Sequence, residues 1–251
     1  MKKHLSVFML AVRGALWPTV IVSLLGAAAS AAVMCFADKA GGFDNSVYDA
    51  AAVPVIAGVV VLSILLMRPL RGQGGVQPLY TLQRLRVSEL TVFCWQAAVN
   101  ALALFILQMF QAAACLLYGL YLQNSGLGAA GNMSVLVNLI NSSVAHALLP
   151  LGDLPVYVRM ALVYLALGAA AAYSSFMGRR GKTAVSPFVA LAAAIVFGCL
   201  FAGVGAYSTE ALLGGGAALV ALGFTLSVRS RAGDVEERED EPSAGGGDVA
   251  V

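Results

Sequence analysis

Four amide side chains, Gln96, Asn100, Gln108 and Gln111, recur at i, i+4, i+12 and i+15 inside one long apolar run. At about 100° of turn per residue they project from a helix near 0°, 40°, 120° and 60°, roughly one third of its circumference. They therefore share a face. Amides carry no charge, so what they offer in an apolar setting is paired donors and acceptors. Such a stripe can line a transport path, face a second protomer, or hydrogen-bond between helices of one bundle. A second polar group, Asn138, Asn141, Ser142 and His146, also falls at helical spacing and is closed by Pro150 and Pro155. Burying it as a full membrane crossing would cost several kcal/mol, on the order of one unpaired polar group each. The segment 132–155 is expected instead to be an amphipathic or partly re-entrant element on the outer side.

Reactive chemistry is harder to assemble. His4 and His146 are far apart, and Cys35, Cys94, Cys115 and Cys199 stand singly, without the spacing of a metal site or a disulfide framework. The cysteines read as small buried apolar side chains. Gly181-Lys182-Thr183 imitates the end of a phosphate-binding loop, but the glycine required five residues before Gly181 is Phe176, and no strand precedes it. No metal ligand set, nucleotide site or catalytic constellation is expected in this chain, and it does not read as an enzyme.

The elements that must position the amides are membrane spans. With 60% hydrophobic and 11% charged residues and a mean hydropathy of +0.85, the chain lacks the polar surface of a water-soluble globule. A helix needs about 20 apolar residues to cross the hydrocarbon, and residues 17–36, 51–67, 90–122, 156–177 and 184–228 supply them. The last stretch is about twice a span and breaks near Ser208, Thr209 and Glu210, so the expected fold is all-α and polytopic with six transmembrane helices. Basic residues resist translocation. With the N-terminus inside, thirteen of the 15 Lys and Arg fall on the inner side and only Lys39 and Arg159 do not. Both termini are then cytoplasmic.

Residues 1–16 carry Leu5, Phe8, Met9, Val12 and Leu16 along one stripe, opposite Lys2, Ser6 and Arg13. That pattern predicts an interfacial elbow lying on the inner leaflet and turning upward at Trp17 and Pro18. After Arg231, Asp234, Glu236, Glu237, Glu239, Asp240 and Glu241 crowd around Arg238, with little apolar to bury, so residues 232–251 are expected to form a disordered acidic tail. Away from helix ends, no Asp, Glu, Lys or Arg is read inside a span, which disfavours an ion-driven mechanism. Work, if any is done, should enter from a partner. The inner segment 68–89 is a candidate entry point: Pro69, Gly72, Gly74, Gly75 and Pro78 are followed by helix-compatible residues and then by Ser88, an N-cap, and Glu89 at the positive end of the third span.

The run Tyr80-Thr81-Leu82-Gln83-Arg84-Leu85-Arg86-Val87-Ser88-Glu89, leading into Val92-Phe93-Cys94-Trp95-Gln96-Ala97-Ala98-Val99-Asn100, resembles a segment of small six-helix permease subunits of bacterial ABC transporters of the type 2 exporter class. The resemblance implies an elbow at the N-terminus and a coupling helix formed by Leu79, Tyr80, Leu82, Arg84, Leu85 and Arg86, with Glu89 following it. It also implies a separate ATPase subunit that binds the ATP, a second permease protomer completing a homo- or heterodimer, and residence in the bacterial plasma membrane. One departure is that the outer element here precedes the fourth span, whereas many members carry re-entrant helices between the fifth and sixth. Lipid is the other expected contact, and no nucleic acid is expected. Two other classes compete with the permease reading: a non-transporting scaffold or assembly protein, and a passive channel.

Overall fold

The computed structural model describes residues 2–39, 44–67, 88–125, 137, 141–150, 154–179 and 207–240. Among them the chain is all helical: α1 (Lys2–Lys39), α2 (Asp44–Asp49), α3 (Ala52–Leu66), α4 (Glu89–Ser125), α5 (Ser143–Leu148), α6 (Leu154–Arg179) and α7 (Tyr207–Asp240). Five stretches are long and apolar enough to cross a membrane: Leu5–Lys39, Val47–Leu66, Glu89–Asn124, Leu154–Arg179 and Leu213–Arg231. The span expected within 184–206 lies outside the described residues. α7 begins at Tyr207, beside the break read near Ser208.

Specific pairs fix the directions of these helices. Phe8 meets Trp95 edge-on at 5.4 Å between centroids, the Ser30 hydroxyl reaches Gln111, and the Tyr118 hydroxyl donates to the Met34 carbonyl at 3.3 Å. α1 and α4 therefore run parallel. Tyr48 packs on Tyr118 while Gly58 lies against Leu107, so α3 runs against α4. Gln96 meets Arg179 and Asn100 meets Gly168, which makes α6 antiparallel to α4. Gly214 lies beside Arg159, Phe224 beside Tyr173 and Arg231 beside Met177, so α7 is parallel to α6. Helix α4 is the hub, touching α1, α3, α5, α6 and α7.

The N-terminal expectation needs correction. No separate elbow covers residues 1–16: α1 is a single helix of 38 residues with Pro18 inside it. At about 1.5 Å per residue it is nearly twice as long as a roughly 30 Å hydrocarbon layer is thick. Pro18 removes only the bond to the Gly14 carbonyl, and a helix flanked by lipid tolerates that loss better than the exposure of several backbone groups. The Thr19 hydroxyl donates to the Ala15 carbonyl at 2.7 Å in the same turn. Val7, Ala11 and Ala15 are buried, and Leu5, Met9 and Leu16 point outward.

At the other end, the backbone of α7 continues to Asp240, through part of the segment expected to be disordered. Ala232, Glu236, Glu237, Arg238 and Glu239 are good helix formers, so a helix already started can continue through this stretch. The cysteines also divide. Cys115 is buried as expected, while Cys35 and Cys94 lie on outward faces.

Candidate functional site

The amide stripe of α4 is wholly internal. Gln96, Asn100, Gln108 and Gln111 are each 5% exposed or less. Each bonds a different part of the molecule. Arg179 Nη1, at the end of α6, donates to Gln96 Oε1 at 3.3 Å, and Asn100 Nδ2 donates to the Gly168 carbonyl at 3.3 Å. Gln108 Nε2 donates to the Leu148 carbonyl at 2.7 Å, and the Ser30 hydroxyl of α1 donates to Gln111 Oε1. In this conformation the stripe ties α4 to α6, α5 and α1. It does not form an outward face to which a second protomer could bind.

Glycines decide how close these neighbours come. A Cβ on Gly168 would lie 2.6 Å from the Ala97 carbonyl oxygen and 2.8 Å from the Ala101 nitrogen, so α4 and α6 touch backbone to backbone. That approach lets the short Asn100 side chain reach the Gly168 carbonyl. On the other side of α4, Gln111 Nε2 fills a notch at Gly26, where a Cβ would stand 2.5 Å from it; a Cβ on Gly58 would stand 3.8 Å away. Gln111 Nε2 has no hydrogen-bond partner among the described residues, nor have the buried hydroxyls of Ser23, Ser63 and Ser175.

Within the segment expected at 132–155, the described helix α5 has six residues, and Val144, Ala145, His146, Ala147 and Leu148 are all buried, so this part lies deeper than an amphipathic surface helix would. Asn141 is exposed, and Asn138 lies outside the described residues. Ser142 is the N-cap, its Oγ accepting from the Ala145 N–H at 3.2 Å. Asp49 Oδ1, at the end of α2, accepts from Ser142 Oγ at 2.8 Å, from Ser143 Oγ at 3.2 Å and from the Val144 N–H at 3.4 Å. A carboxylate at the positive end of a helix supplies both the acceptor and the charge that end needs. Sequence gave no sign of Asp49, because its partners lie more than ninety positions away. Ser142 ahead of Ser143 and Val144 did carry a local N-cap signature.

At the start of α4, Ser88 Oγ accepts from the Thr91 N–H at 3.4 Å, the capping expected for α4, and Glu89 is exposed in its first turn. Leu79, Tyr80, Leu82, Arg84, Leu85 and Arg86 lie outside the described residues. One reading is corrected: an ionisable side chain does lie inside a span. Arg159 is 4% exposed in the second turn of α6, its backbone packed near Gly214. Among the described residues no group of three or more His, Cys, Asp or Glu could hold a metal ion. Compared with protein-family models, curated proteins and solved structures, the chain matches none.

Proposed function

We propose that this chain is the membrane-spanning permease subunit of an ATP-binding-cassette exporter, driven by a separate ATPase and paired with a second permease protomer in a bacterial plasma membrane. The observation that carries the reading is the position of α4. It begins immediately after the segment 68–87, and it touches nearly every other described helix. A displacement of that segment would enter α4 along its axis and reach α1, α5 and α6 through the amides that bond them. In this reading Arg84, Leu85 and their neighbours take the push, and Gln96, Asn100, Gln108 and Gln111 exchange partners as the bundle alternates.

The helix directions support six crossings. Because α6 and α7 are parallel, residues 180–206 join opposite ends of the bundle, and 184–206 is an apolar stretch. A crossing there brings the start of α1 and the end of α7 to one face. Lys2, Lys3, Arg13, Arg179, Arg229, Arg231 and Arg238 belong to that end and Lys39 and Arg159 to the other, which supports a cytoplasmic assignment for both termini.

A scaffold or assembly protein that transports nothing is the second reading, and the stripe itself favours it: each of the four amides already bonds a group within this chain. Purification of the tagged full chain from its own membranes in mild detergent discriminates. The permease reading expects an ATPase subunit to co-purify, with R84A/L85A reducing its recovery at least fivefold at unchanged permease yield. Absence of any ATPase, while a known permease control retains its own, overturns it.

A further inference from the structure

Helix α5 is held at both ends by side chains of other elements. Its N-terminus is bound by Asp49, and its last carbonyl, that of Leu148, accepts from Gln108. These two clamps are at different depths. Tyr48, beside Asp49, packs on Tyr118, whereas Gln108 stands near the middle of α4, ten positions or about 15 Å of helix closer to the inner end. The C-terminal end of α5 is therefore held at the depth of Gln108 and its N-terminal end at Asp49.

Three properties make it separable from the walls around it. Six residues are too few to form a stable helix alone, so its order depends on the clamps and on the packing of its buried residues. Four of its six side chains are small, Ser143, Val144, Ala145 and Ala147, so each of these gives up little dispersion on leaving, and the larger buried cost is confined to His146 and Leu148. Both clamps are polar, and water can replace each of them once it arrives. We propose that α5 is a removable plug: release of the Asp49 clamp lets it withdraw outward and admits water and polar solutes to Gln108. The inference goes beyond the permease reading and needs no ATPase.

The test is thiol accessibility in the full-length protein in sealed vesicles, with the native cysteines replaced and Ala145→Cys introduced as the reporter. A membrane-impermeant maleimide should modify this buried position slowly. Asp49→Ala should raise the rate at least tenfold, and S142A/S143A, which removes the two hydroxyl donors to Asp49 together with the Ser142 cap on the Ala145 N–H, should raise it several-fold. If Asp49→Ala does not yield monodisperse protein, the serine pair carries the test. An unchanged slow rate in the folded variants makes α5 a fixed wall and overturns the proposal, as does a fast rate in the parent.

Discussion

The two sides of α4 meet their neighbours in different ways. Toward α6, Gly168 brings backbone onto backbone, with a hypothetical Cβ 2.6 Å from a carbonyl oxygen. Toward α1, the equally close contact at Gly26 is with the tip of the Gln111 side chain. Peptide groups in a helix cannot step aside, whereas a glutamine can change rotamer at a cost of about 1 kcal/mol. Lipid provides no hydrophobic force to push helices together, so cohesion comes from such packing and from interhelical bonds. The difference teaches that α4 and α6 form the rigid pair, while α1 is joined to them by an adjustable contact.

The largest expected effect strikes the rigid side. Gly168→Ala should destabilise the protein by about 3 kcal/mol, the upper range for forcing extra volume into a packed site, and a folded yield or denaturant resistance in mixed micelles equal to the parent would remove the distinction. Gly26→Ala should cost only about 1 kcal/mol, because Gln111 can move. Combining it with Gln111→Ala should recover most of that cost, a coupling of about 1 kcal/mol that full additivity would contradict. The smallest change is Gly215→Ala. No described residue lies within 4 Å of a Cβ there, so α7 should be unaffected or stabilised by up to about 1 kcal/mol from helix propensity, read in the same assay.

The spans were legible because lipid demands them. Residues 90–122 and 156–177 were expected, and helices at Glu89–Ser125 and Leu154–Arg179 contain them. What failed were the joints. The turn at Trp17 and Pro18 was inferred from a breaker whose single lost bond the helix absorbs. In the outer element, helical spacing linked Asn141 to His146, yet Ser142 caps between them and leaves Asn141 exposed. Arg159 was read only as one of two basic residues off the inner side, and burial against a neighbouring helix does not show in spacing along one chain.

Periodicity in one helix was enough to put Gln96, Asn100, Gln108 and Gln111 on a common face, and hydropathy was enough to make that helix a span. Which groups would answer them was open, since any apolar helix can present a serine or a carbonyl. Packing decided it: Gly168 and Gly26 permit the close approaches, the Asp49 clamp holds α5 at the depth where Leu148 accepts from Gln108, and these contacts join residues from about forty to more than eighty positions apart. Sequence alone carried the shape of each helix because that depends on near neighbours, whereas the partners of the stripe depend on how close two backbones come, which only the assembled bundle determines.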